Sequence, residues 1–162
     1  MTAVIKWINA DVAAGKKAAV SKVMPGRTFA FAANYEKLAG DGDGSVAYLA
    51  SVGAKMVPVY IDINCDSLAG CTSVDLGFYK ENGVVADKDV LMVAHDINAG
   101  AAIGSEIDGL HDMGVENIGK QVYELLGKTV DTRENAYLLA LTLNTAGSAA
   151  GTIAVRGLFI QG

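Results

Sequence analysis

The stretch TSVDLGFY, residues 72–79, alternates bulky apolar residues with polar or small ones. Successive side chains of a β-strand point to opposite faces, so Val74, Leu76 and Phe78 would share one face and pack into a core. The opposite face would carry Asp75 and Gly77. This period of two predicts a β-strand, and it is the pattern against which the rest of the chain is compared.

Further runs with strand character cover most of the chain and are separated by turn signals such as GDGDG at 40–44 and ENG at 81–83. Pro58 indicates an edge strand or a strand start, because proline has no amide to donate to a neighbour. Apolar residues on both faces of 136–144 predict a strand buried on both sides. The predicted strands are residues 2–8, 28–32, 45–52, 55–63, 72–79, 120–126, 136–144 and 152–161.

Two intervals lack a strand pattern. Residues 87–102 place acidic residues, alanine and glycine at loosely helical spacing within a longer interval, 80–117. A connection of that length in a compact domain predicts a binding loop or a short helix. The linker TAGSAAG, residues 145–151, predicts a flexible, hairpin-like turn.

Seven or eight short strands joined by turns, with no strand–helix–strand alternation, predict an all-β protein. We expect an antiparallel β-sandwich that is jelly-roll-like. Pro25-Gly26 marks a turn, and the preceding residues are rich in alanine, glycine and lysine. We therefore expect an extended N-terminal arm, residues 1–26, and a β-sandwich body, residues 27–162.

The composition is strongly apolar for a chain of 162 residues. The hydrophobic fraction is 51% and the mean hydropathy is +0.30, which predicts either a large core or apolar surface buried against a partner. No uncharged apolar run reaches the ~18 residues that span a bilayer, and Lys6 and Asp11 interrupt the N-terminus where a signal peptide would be apolar. We expect synthesis in a cytoplasm, without export, and no membrane partner.

Charge is unevenly distributed: the chain has a net charge of −5, yet residues 1–40 carry six basic and two acidic side chains. Nucleic acid is a poor partner for such an arm, because the acidic body would repel phosphates and no aromatic residues are interleaved with the lysines. Contact with an acidic protein surface fits the basic arm equally well. Trp7 would be either an anchor in a partner's groove or ordinary core. The candidate partner-contact residues are Val4, Lys6, Trp7, Lys16, Lys17, Lys22 and Arg27.

Residues that carry catalytic or metal chemistry are sparse. His95 and His111 lack metal-ligand spacing, and with Cys65 and Cys71 they do not form the close pairs of a zinc site. Asp41 starts a run like a calcium loop, but the twelfth position is Val52 instead of glutamate. No nucleophile elbow, phosphate-binding loop or dinucleotide motif occurs. We expect two free thiols, no metal, no cofactor and no enzymatic activity.

Four segments follow one another in a characteristic order and spacing across residues 55–160. They are VDLGFY at 74–79 with the turn after it, the acidic stretch DKDVL at 87–91, IGKQVYEL at 118–125, and the closing run 138–155. In this order and spacing the sequence resembles the decoration, or cement, proteins of tailed-phage heads.

That resemblance implies a β-sandwich subunit that assembles as a homo-oligomer, typically a trimer, and binds the major capsid protein on the outside of the phage head. Such a subunit stabilises the shell against internal DNA pressure and has no catalytic residues. Two alternatives remain open from the residues alone. One is a tail, neck or head-fibre component of the virion, and the other is a carbohydrate-binding jelly-roll module for host attachment.

Overall fold

The computed structural model describes residues 5–7, 28–129 and 136–162. Within these ranges the chain forms nine strands, a 3₁₀ turn at Val115–Asn117 and one short helix, α1, at Val122–Leu125. The strands are β1 (Ile5–Trp7), β2 (Thr28–Lys37), β3 (Ser45–Gly53), β4 (Met56–Cys65), β5 (Ser73–Lys80), β6 (Val85–His95), β7 (Ile107–Asp108), β8 (Ala136–Thr145) and β9 (Gly151–Gln161).

The strands form two sheets with the connectivity of a jelly roll. Sheet A has the order β1-β3-β8-β5-β6, and sheet B has the order β2-β9-β4-β7. From β2 to β9 the chain crosses between the sheets at every connection except the β5–β6 hairpin. Apart from the added β1, this gives two four-stranded antiparallel sheets packed face to face, the arrangement of an eight-stranded jelly roll. The predicted fold class is confirmed.

The core lies between the two sheets. In β5 the alternation of the sequence holds, and Val74, Leu76 and Phe78 are buried in that core. Strands β4 and β9 contribute Ile61 and Phe159 from the opposite sheet, both fully buried. Full burial of each large apolar side chain stabilises the fold by about 1.5–3 kcal/mol, so the alternating pattern determines which side of each strand faces inward.

Most predicted strands are confirmed, including the doubly buried β8, but β4 departs from strict alternation. A β-bulge between Pro58 and Tyr60 inserts one extra residue. Strict alternation would place Val59 on the same face as the buried Ile61, but the bulge leaves Val59 exposed. Pro58 lies where β4 pairs with β9 on one side, while β7 pairs with β4 only at positions 62 and 63. The prediction that Pro58 lies at an unpaired strand edge is therefore confirmed.

Three local predictions are wrong. In the interval 87–102, expected to be a binding loop or to contain a short helix, residues 87–95 belong to strand β6, because pairing with β5 overrides the weak helical spacing. The interval 120–126, predicted as a strand, contains the helix α1 (Val122–Leu125), and a capping box between Gln121 and Glu124 satisfies its first amides. Residues 145–151 are not a hairpin turn, because β8 and β9 lie in different sheets.

Candidate interaction surfaces

Two of the seven predicted contact residues lie in the described part of the chain. Lys6 and Trp7 belong to β1, in register with Ala47 and Tyr48 of β3. The backbone at Trp7 thus extends sheet A at its β3 edge. The other five, Val4, Lys16, Lys17, Lys22 and Arg27, lie outside the described residues. Whether the seven form one contact surface stays a prediction.

The β3 edge of sheet A is the first candidate surface. On one side β3 pairs with β8 from Ser45 to Gly53. On its other side, among the described strands, only β1 pairs with it, in parallel and over residues 46–48. An edge strand presents unpaired amides and carbonyls and can therefore accept a further strand.

The outer face of sheet A is apolar and closed. Tyr48 and Tyr79 meet edge to face with ring centroids 5.7 Å apart, and they form a buried cluster with Val46, Leu138 and Ala140. The Tyr79 hydroxyl is hydrogen-bonded to Thr142 Oγ1 at 2.8 Å. Because these side chains are already buried, they offer little surface to a partner.

The β5–β6 hairpin bends over this outer face. A Cβ atom at Gly77 would lie 2.3 Å from the carbonyl oxygen of Asp87, so the backbone at the start of β6 passes directly over Gly77. At the hairpin turn, a Cβ atom at Gly83 would lie 3.1 Å from Tyr48 Oη. Glycine at position 77 is therefore what allows the start of β6 to pass so close to β5.

An ion pair between a buried carboxylate and a partly exposed lysine fastens the same hairpin. The Asp75 carboxylate, 1% exposed, accepts hydrogen bonds from Lys88 Nζ and, at 2.8 Å, from the Ala94 amide. Lys88 also donates to Asn144 Oδ1 at 3.0 Å. Burial alone would raise the pKa of Asp75, but its hydrogen bonds outweigh that effect and hold the pKa below its usual value.

Sheet B, by contrast, has an open outer face with an apolar end. The strand registers place Ala30, Leu158 and Tyr60 in one row across β2, β9 and β4. The next row contains Ile160. Tyr60 is 43% exposed and Ile160 is 40% exposed, so this end, which we name the sheet B apolar patch (Ala30, Tyr60, Leu158 and Ile160), is accessible to a partner.

The other end of the same face is polar. Arg156 Nε donates to Asp62 Oδ2 and its Nη2 donates to Glu106 Oε1, each at 3.2 Å. Backbone hydrogen bonds, helped by Arg156, hold the pKa of Glu106 below its usual value. An apolar patch beside a charged rim is the usual composition of a protein–protein contact.

Loops at one end of the sandwich are braced by buried polar groups. Lys37, 1% exposed, donates from Nζ to the carbonyl oxygen of Ala149 at 2.7 Å. Tyr35 Oη donates to Asp41 Oδ2 at 2.7 Å, and burial followed by this contact raises the pKa of Tyr35. These bonds hold the β2–β3 and β8–β9 connections rigid.

An open cleft of about 690 Å³ lies between these loops. Asp43 is the one titratable residue in its lining, and Asp43 Oδ1 already accepts a hydrogen bond from the Ala146 amide at 2.8 Å. General acid–base catalysis usually needs a second polar group positioned against the first, and the lining offers only hydroxyls and backbone. The lining is Asp43, Ala69, Gly70, Thr145, Gly147 and Ser148.

The fold brings the two histidines together, which their spacing in sequence did not indicate. The rings of His95 and His111 have centroids 5.8 Å apart in an edge-to-face arrangement. Cys65 and Cys71 are free thiols, and burial raises the pKa of Cys71 to about 11. Across residues 28–129 and 136–162, no three histidine, cysteine, aspartate or glutamate side chains are grouped so that they could hold a metal ion.

Comparison with known proteins gives similarity at the level of structure alone. No protein-family model matches the chain, and no curated protein matches it. Among its described residues, none of the helices is long and apolar enough to cross a membrane.

Two solved structures from phage capsids share the fold. A chain from the capsid of Ralstonia phage GP4 superposes with a TM-score of 0.65 at 16% identity, covering 98% of this chain and 99% of that chain. A chain from the capsid asymmetric unit of cyanophage Pam1 gives a TM-score of 0.57 at 13% identity, covering 90% and 93%. Over nearly its whole length, the chain therefore has the jelly-roll fold of proteins found in these two phage capsids.

Proposed function

We propose that this chain is a structural protein of a phage virion, a decoration subunit that binds the outer surface of the head and stabilises the shell. It acts by binding energy alone, without a cofactor. Its partners are the major capsid protein and further copies of itself, in a homo-oligomer that we take to be a trimer. It is made in the host cytoplasm and resides on the capsid exterior.

The observation that carries this proposal is the extent of the structural match. The GP4 capsid chain and this chain cover each other almost completely, so the two have the same size and the same single fold. An enzyme built on a jelly roll would need a catalytic site grafted onto that fold. The described surface offers a one-carboxylate cleft and two accessible binding features instead.

Those binding features suit a subunit that joins neighbours. The β3 edge can take up an extended segment by main-chain hydrogen bonds. The sheet B apolar patch can be buried against a rigid protein surface, where each Å² of apolar area contributes about 25 cal/mol. Most apolar side chains are buried in the core of the chain, and the sheet B apolar patch is apolar surface that remains exposed in addition to that core.

Electron microscopy of reconstituted particles tests the proposal. Purified protein is mixed with undecorated capsids of the parent phage, and its copies per particle are counted. We expect ordered density at the symmetry axes of the lattice, in hundreds of copies. Absence of density on the head, with binding to isolated tails, would overturn the decoration role in favour of a tail or attachment component.

Deletion of residues 2–26 tests the part played by the N-terminal arm. We expect the truncated protein to keep the circular-dichroism spectrum of a folded β-sandwich and to lose most of its capsid occupancy. A matched control replaces Lys16, Lys17 and Lys22 by glutamine, which keeps the length of the arm and removes three charges. Full occupancy by the truncated protein would refute a role for the arm.

A further inference from the structure

The pairing of β1 is unusual within this sandwich. Among the described strand pairs it is the one parallel pair, and it involves three residues at the edge of an otherwise antiparallel sheet. Beyond position 48, β3 continues to Gly53 with no described strand on that side. The β3 edge is therefore longer than the segment that pairs with it. Backbone hydrogen bonds can join this edge to residues 5–7 of the same chain or of another copy of the chain.

The connection between β1 and β2 is long. Twenty residues, 8–27, separate Trp7 from Thr28, although β2 packs beside β3, the strand with which β1 pairs. Neighbouring elements are usually joined by about 2–8 residues. Twenty residues can span up to about 66–72 Å, whereas a compact chain of this size has a radius of gyration of about 15 Å. The strand that donates residues 5–7 therefore need not belong to the chain that supplies β3.

The charges of the two parts are complementary. Residues 8–27 contain four basic side chains and one acidic side chain, whereas residues 28–162 contain eight basic and 17 acidic. A segment with this excess of positive charge is attracted to the surface of a body with this excess of negative charge. A second copy of the chain supplies both the acidic body and the matching β3 edge.

We propose that β1 is exchanged between subunits, so that the β3 edge of each copy accepts residues 5–7 of a sister copy. The inference rests on the proposed function only in taking the protein to be a homo-oligomer. Exchange of an identical element keeps every contact of the unexchanged fold, and it links subunits at low cost in free energy. A shell-stabilising oligomer gains from it, because one subunit cannot leave without unpairing a strand from another.

Disulfide trapping distinguishes exchange from pairing within one chain. Ile5 lies opposite Val46 in the register, so one variant chain carries Ile5→Cys and a second carries Val46→Cys. The two are unfolded together, refolded, oxidised and separated by non-reducing electrophoresis. We expect a disulfide-linked dimer band of the two chains, identified by mass spectrometry, at least tenfold stronger than in the control.

The control pairs Ile5→Cys with Ser51→Cys, which lies on the same strand but beyond the register of β1. A chain carrying both Ile5→Cys and Val46→Cys gives the opposite readout. If this double variant oxidises to a monomer-sized species while the mixture yields no linked dimer, β1 pairs within its own chain and the proposal fails. Absence of both products also overturns it.

This assay needs no capsids, so its result is independent of the test of the proposed function. Linked dimers from a protein that leaves capsids bare would overturn the decoration role and keep strand exchange. Full capsid occupancy without linked dimers would overturn strand exchange and keep the decoration role.

Discussion

Replacing Asp75 by asparagine tests whether the ion pair between Asp75 and Lys88 holds the start of β6 against β5. The carboxylate accepts hydrogen bonds from Lys88 and from the Ala94 amide, and bonds of this kind to a charged group each contribute about 1.5–3 kcal/mol. Asparagine keeps the shape and one acceptor oxygen. We therefore expect the loss of one such bond and of the ion-pair attraction.

Lys88, which loses its counterion in this variant, decides how far the free energy of unfolding falls. Leaving a fully buried charge without its counterion costs about 3–5 kcal/mol, but the Lys88 side chain is 37% exposed and can turn to water. We accordingly expect the free energy of unfolding to fall by about 2 kcal/mol at pH 7. For a domain of this size, that change lowers Tm by about 4–8 °C.

The effect should depend on pH with a defined sign. The pKa of Asp75 in the folded chain lies below its ordinary value of 3.8. The stabilisation is therefore fully present above the unfolded pKa of about 3.9, and it is lost as the pH falls through the folded pKa. The difference between wild type and Asp75→Asn should be constant from pH 7 to pH 5 and shrink at lower pH.

Urea unfolding followed by circular dichroism at several pH values measures both quantities. Glu81→Gln, in the exposed turn of the same hairpin, is the matched control for removing one negative charge. Equal unfolding free energies of wild type and Asp75→Asn at pH 7 would refute the argument. A difference that grows as the pH falls would also refute it.

Three further predictions concern packing, reactivity and binding. Gly77→Ala should lower the free energy of unfolding by about 1–3 kcal/mol, because the new Cβ atom would meet the backbone of β6. The control, Gly40→Ala, has open space around it and should change that free energy by less than about 0.5 kcal/mol. Thermal melts measure both changes. Cys71 is buried, and its pKa is raised to about 11. Its thiol should therefore resist iodoacetamide at pH 8 until urea unfolds the protein. Full labelling of Cys71 in native samples, detected by mass spectrometry, would contradict its burial. Ile160→Ser should reduce the number of copies bound per capsid and leave Tm unchanged. Asn34→Ser, at the polar end of the outer face of sheet B, should leave the number of bound copies unchanged. Equal losses of bound copies from both variants would refute the sheet B apolar patch as a contact.

Sequence reasoning succeeded where a strand is buried on one or both faces. The alternation in 72–79 and the apolar run in 136–144 were sufficient. Both faces of β5 are buried, but the ion-paired Asp75 and the small Gly77 keep its outer face distinct in sequence, while most of the buried residues of β8 are apolar. β6 was missed for a physical reason. Its register with β5 shifts repeatedly, so Asp87 and its neighbours do not keep a fixed face and no clean period is visible.

The contacts of the candidate surfaces were less accessible to such reasoning. Asp75 and Lys88, like His95 and His111, meet only through the bent β5–β6 hairpin and the loops packed on it. Alternation shows which residues share a face of a strand. It does not show whether a hairpin, a neighbouring subunit or water covers that face.

Under the proposed function, the difference between the two outer faces restricts how the chain can bind its partners. Sheet A is covered by its own hairpin and offers its β3 edge, which extends the sheet sideways toward a neighbour. Sheet B offers the face of the sheet itself, with Tyr60 and Ile160 accessible. An edge and a face point in roughly perpendicular directions, so one subunit can pair with a sister through β3 while sheet B packs on another protein. Because neither contact blocks the other, oligomerisation and shell binding can be tested by separate variants, Val46→Cys for the first and Ile160→Ser for the second.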